Sequence, residues 1–116
     1  MESLPVGQVV LAAFPFSDLT TRKVRPCLVV GLAEFDDVIL CQITSRSYKS
    51  QAALDLKRGD FKQGSIITDS FIRPDKIATV ARVRISRTLG KITDSKLVEV
   101  KQKLAQIFEL TEVTTL

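Results

Sequence analysis

The sequence predicts one small, mainly β domain: an antiparallel barrel of five to seven short strands with a C-terminal amphipathic helix. Short apolar and β-branched segments recur between turn-forming clusters from Gly7 to Ser86, which is the spacing of a small barrel. After Gly90 the apolar residues fall three or four apart, the period of a helix packed along one side. The 116 residues are 45% apolar, enough for one core. With no internal repeat, linker or low-complexity segment, residues 1–116 read as a single domain.

Gly7 opens the first strand, GQVVLAAF, which Pro15 stops. Residues 15–24 carry the Ser, Asp and Thr of a loop, with the polar group Thr20 to Lys23 exposed. A second strand from Arg25 to Ala33 and a third from Val38 to Ser45 flank an acidic turn containing Glu34, Asp36 and Asp37, so they form a hairpin. If residues 32 and 37 face one another, Arg25 falls opposite Thr44. At about 3.3 Å per residue, that pair lies more than roughly 20 Å from the turn. The hairpin thus gathers Arg25, Arg46 and Lys49 at one end and the carboxylates at the other.

Next come a shorter strand, AALDL, a turn over Lys57 to Gly64, and an apolar stretch from Ser65 to Thr68. Pro74 in SFIRPDKIATV cannot donate to a ladder, which predicts a break with Arg73 and Asp75 on irregular backbone. RVRIS alternates basic and apolar residues, the pattern of a strand with one wet face. Leu97, Val100, Leu104, Ile107 and Phe108 form the apolar stripe of the helix. Thr93 or Asp94 caps it, Glu99 and Lys103 pair across one turn, and it ends near Leu110.

Several function classes drop out. No apolar run approaches the roughly 20 residues of a membrane span, and the N-terminus lacks the features of a signal peptide. The expectation is a cytoplasmic protein away from membranes. Cys27 and Cys41 lie inside apolar strings and read as reduced core thiols. With no histidine and no C-x-x-C spacing, a zinc site has almost no ligands to draw on. No dinucleotide or P-loop motif occurs, so no cofactor is expected. Seventeen Lys and Arg against thirteen Asp and Glu give a net charge of +4, with a pI near 9.3, a balance that favours an anionic partner.

Without histidine, an enzyme built from this chain must work with Arg, Lys, Asp, Glu, Thr, Ser or Tyr48. RNA cleavage is within that repertoire. The ribose 2′-hydroxyl is the nucleophile, and fixed cationic and hydroxyl donors can stabilise charge on the phosphorane without a metal. Arg25 facing Thr44 is a candidate of this type, set against the plainer reading of a solvated strand-end cation and a β-branched strand residue. Arg73 and Asp75 can equally neutralise one another.

Taken together, GQVVLAAFPFSD, RPCLVV, CQITS, SFIRPDKIATV and the terminal helix resemble the MazF/PemK family of toxin endoribonucleases, in order and spacing from about Val6 to Leu110. The resemblance implies an SH3-like barrel, a two-fold homodimer, and metal-independent, sequence-specific cleavage of single-stranded RNA to 2′,3′-cyclic phosphate and 5′-hydroxyl ends. It also implies inhibition by a cognate MazE-like antitoxin, through which the complex would bind operator DNA. The family's catalytic arginine falls on Arg25 and its threonine on Thr44. In the PemK/Kid branch, a catalytic arginine and aspartate fall on Arg73 and Asp75. Phe16, Ser17, Asp18 and Thr20 of the first loop would border the RNA, and Arg22, Lys23, Ser45, Arg46 and Lys49 would meet it at the same barrel end.

This chain departs from members that place a histidine in the first loop, so any role of that group is absent or taken by another. Two rival classes share the barrel: gyrase poisons of the CcdB kind, and barrels that bind nucleic acid without cutting it. Arg25 and Thr44 favour cleavage, since a gyrase poison has no use for them.

Overall fold

A computed structural model describes residues 4–14, 24–46 and 50–110. Seven strands form one antiparallel sheet curled into a half-barrel, followed by one helix. They are β1 (Gln8–Ala13), β2 (Val24–Leu32), β3 (Asp37–Thr44), β4 (Leu54–Leu56), β5 (Phe61–Gly64), β6 (Ser70–Ala81) and β7 (Ile85–Ile92), with α1 over Asp94–Ile107. Their order across the sheet is β4-β6-β3-β2-β1-β7-β5.

The central strands are apolar on both faces, which explains why β1 to β3 read as continuous apolar runs. Val9, Leu28, Cys41 and Ile43 pack with Leu56, Ile72 and Ile92 on one face, where Val100, Leu97 and Leu104 of α1 close the core. Val10, Cys27, Val29 and Leu40 pack with Ala12, Phe14, Val38 and Val80 on the other. Thr93 caps α1 by accepting a hydrogen bond from the Lys96 amide at 3.2 Å. No helix among the described residues is long and apolar enough to cross a membrane.

The hairpin of β2 and β3 carries one correction. Leu32 faces Val38, not Asp37, because Val30 bulges between the Val29–Leu40 and Gly31–Ile39 pairs. Beyond the bulge the register is the expected one: Cys27 faces Gln42, and two residues further it sets Arg25 beside Thr44. The turn itself holds Phe35 and Asp36 at φ 60°, the left-handed geometry of a tight hairpin whose twist matches its strands.

Four further expectations give way. The turn over Lys57 to Gly64 contains a single 3₁₀ turn (Arg58–Asp60) and then β5, because Phe61 packs against the core and pairs with Ile92. RVRIS is not a strand: Arg82–Arg84 forms a 3₁₀ turn, and β7 starts only at Ile85. There Arg82 reaches back to the acidic turn, its amide donating to the Asp36 carbonyl and its guanidinium 3.5 Å from the Asp36 carboxylate. On α1, Glu99 pairs with the buried Lys96 at 3.1 Å, whereas Lys103 donates to the Gln51 carbonyl at 3.2 Å. The stripe also overruns the core, leaving Ile107 and Phe108 exposed.

Pro74 does not end β6, but the irregularity predicted around it is real. Cys41 faces Ile77 and Gln42 faces Arg73, so Pro74, Asp75 and Lys76 have no residue opposite them on β3. A proline that cannot donate is accommodated where the ladder is already interrupted.

Candidate active site

One cleft of about 740 Å³ opens at the barrel end away from the acidic turn. Its floor is apolar, with Leu11, Pro26, Ile43, Ile66 and Leu89, and Arg25, Arg46, Lys76 and Arg87 supply four cations. Thr44 and Ser45 line it with them, and among the described residues no carboxylate does. Such an enclosure suits a ligand with anionic groups on a backbone and flat apolar faces between them.

The local geometry follows from strand ends. Arg25 is the second residue of β2, level with Ala12 of β1, and the Cys27 thiol donates to its carbonyl at 3.5 Å. Thr44 is the last residue of β3, level with Phe71 of β6. As the chain turns away, the Arg46 amide donates to the Thr44 hydroxyl oxygen at 3.2 Å. This short-range bond fixes the hydroxyl as an acceptor towards its own turn and leaves its hydrogen to donate elsewhere.

The predicted residues therefore divide. Arg25, Thr44, Ser45 and Arg46 meet at the cleft. Arg73 and Asp75 are joined to one another, with Nε to Oδ1 at 3.2 Å and Nη2 to Oδ2 at 2.7 Å, but they are not among the cleft's lining residues. The bound Arg73 guanidinium holds Asp75 below the usual carboxylate range, so the carboxylate is ionised and a weaker base. Phe16, Ser17, Asp18, Thr20, Arg22, Lys23 and Lys49 lie outside the described residues. Cys27 and Cys41 are free and buried, and burial pushes both thiols up to about 12, well away from a nucleophilic role.

The model of the family described as PemK-like, MazF-like toxins of type II toxin-antitoxin systems matches residues 6–108. The chain belongs to the PemK/MazF toxin family. Solved structures give the same fold at low identity. A MazF from Deinococcus radiodurans is 20% identical, with a TM-score of 0.74 over 95% of this chain and 100% of that one. An endoribonuclease from a Mycobacterial species is 19% identical, with a TM-score of 0.72 over 95% of both chains. A Mycobacterial endoribonuclease in complex with its cognate antitoxin is 16% identical, with a TM-score of 0.68 over 93% of this chain and 98% of that one. No curated protein matches significantly.

Within this PemK/MazF chain, Lys76 and Arg87 are the described cleft cations that sequence reasoning passed over. Lys76 belongs to the three-residue irregularity after Arg73, and Arg87 follows directly on RVRIS, outside the segment read as an alternating strand. Their charge was visible in the sequence; their direction was not.

Proposed function

We propose that this chain is the toxin of a type II toxin–antitoxin pair and cuts single-stranded RNA in the cleft between Arg25 and Thr44. The convergence of Arg25, Arg46, Lys76, Arg87 and the Thr44 hydroxyl on one cleft supports this reading most strongly. An RNA strand would lay its phosphates on the cations and its bases on the apolar floor. The 2′-hydroxyl would give up its proton and attack the adjacent phosphorus, and the bond to the 5′-oxygen would break as that oxygen takes a proton from water. The ends are then a 2′,3′-cyclic phosphate and a 5′-hydroxyl.

Arg25 would stabilise charge on the phosphorane and Thr44 would donate a second hydrogen bond to it. Asp75, which precedes the cleft's Lys76 but does not itself line the cleft, would accept the proton of the 2′-hydroxyl through an intervening water, weakly because Arg73 holds its carboxylate. Attack by the RNA's own 2′-hydroxyl, with charge stabilised by Arg25 and Thr44, calls on no metal. The relatives solved with MazE or with a cognate antitoxin support an antitoxin partner, which the family resemblance would set over this cleft. The resemblance adds a two-fold dimer and binding of the complex to operator DNA through the antitoxin.

Incubating the pure protein with a long RNA in EDTA tests the proposal. Breakage is expected, with RNA affinity falling by about 0.7 log unit per log unit of salt for each phosphate bound. Intact RNA would leave the gyrase poison or the non-cutting barrel in its place.

A further inference from the structure

We propose that Arg87 is a positioning residue that holds an RNA phosphate next to the scissile one, a role that rests on the cleft being the cleavage site. The lining of the cleft places it there, and the register gives its row, next to that of Arg25 and Ala12 and on the other face of the sheet. Leu11 faces Pro26 on one side and Arg87 on the other, and the Cys27–Gln42 register brings Ile43 into the same row. Residues level with one another across a sheet share a face. Arg87 therefore stands on the face that carries Ile43 and its core cluster, where a cation contributes nothing to packing.

The strand is also bent on both sides of this residue. Gly90 faces Val9 and Thr88 faces Val10, leaving Leu89 with nothing opposite. Arg87 faces Leu11 and Ile85 faces Ala12, leaving Ser86 the same way. Two bulges within five residues turn a strand and re-aim its side chains. The second is held by the Ser86 hydroxyl, which donates to the Leu11 carbonyl at 3.2 Å. Leu89 packs down on the core, while Arg87 stays exposed at the cleft. Among the described residues Arg87 enters no ion pair.

Distance argues for a separate phosphate. Neighbouring strands lie about 4.8 Å apart, and β2 and β1 stand between β3 and β7. Arg25 on β2 and Arg87 on β7, with β1 between them, thus stand about 10 Å apart at the backbone along the sheet, a separation that two long side chains close onto neighbouring phosphates of one strand rather than onto a shared one. Arg87 would then act on binding and alignment, and Arg25 on the reacting phosphate.

The test is cleavage of an RNA with a mapped cut site by the wild type, Arg25→Ala, Arg87→Met and Arg87→Lys. Two modified RNAs accompany it, each with one neutral methylphosphonate beside the scissile linkage, on the 5′ or the 3′ side. Losing one charged contact should raise KM about tenfold and leave kcat within about twofold. The salt slope should fall by about 0.7, and Arg87→Lys should keep most of it. On one of the two modified RNAs, Arg87→Met should cost nothing further. Wild-type KM and salt slope, a loss confined to kcat, or additive losses on both modified RNAs would each overturn the inference. If Arg25→Ala instead cuts normally, it is the reading of the cleft that fails.

Discussion

Arg25→Ala is expected to lose about 10²- to 10³-fold in single-turnover cleavage, near 3 to 4 kcal/mol, while the protein stays folded. The residue is exposed and lies outside both core clusters, so its removal leaves the packing untouched. An arginine side chain does not give up its proton readily, and its weight in this account is charge placed where charge develops. Thr44→Val keeps the β-branched shape that ends β3 and removes only the hydroxyl, so its loss should be smaller. Circular dichroism of both variants separates a chemical effect from a folding one. A variant without Arg25 that cuts at the wild-type rate would remove the cleft mechanism even in a working ribonuclease.

Gly90→Ala is expected to destabilise the fold strongly. Gly90 of β7 faces Gly64 of β5, and the two backbones pass so closely that a Cβ on Gly90 would lie 2.3 Å from the Gln63 carbonyl oxygen and 3.1 Å from the Gly64 Cα. Backbone atoms cannot move aside as a flexible side chain can. β5 would have to shift, and with it the preceding Asp60, whose carbonyl accepts the Thr93 amide at 2.8 Å where α1 begins. Overpacking of this kind costs about 3 kcal/mol, a large share of a small domain's stability. The melting temperature should fall by roughly 10 °C or more, whereas Gly59→Ala, where nothing lies within 4 Å, should be far milder. Equal melting temperatures for the two variants would contradict this account of the β5–β7 crossing.

The sequence was most legible where one physical signal dominated. Continuous apolar runs marked β1, β2 and β3, and a change of period after Gly90 marked α1. The acidic turn pinned the hairpin well enough to bring Arg25 and Thr44 to one end, although Val30 bulges on the way. Legibility failed where a tertiary contact overrode a local pattern. Arg82 to Arg84 alternate as a strand would, yet the tie between Arg82 and Asp36 winds them into a 3₁₀ turn. The same holds at the site. Arg25 and Thr44 follow from strand ends and register, but the directions of Lys76 and Arg87 are set by bulges at Pro74–Lys76, Ser86 and Leu89, which leave no mark in periodicity. Pro74 was the exception, because a missing donor is written in the residue itself.

The central claim is that the RNA brings its own nucleophile to a cleft of cations and one hydroxyl. The most direct measurement compares, in EDTA, cleavage of one RNA at a mapped site with cleavage of its twin, in which the nucleotide 5′ of that linkage has hydrogen in place of the 2′-hydroxyl. The account predicts that the all-ribose strand is cut to a 2′,3′-cyclic phosphate and a 5′-hydroxyl and that the twin stays whole at that position. Cutting of the twin, or no cutting of either strand, would contradict it.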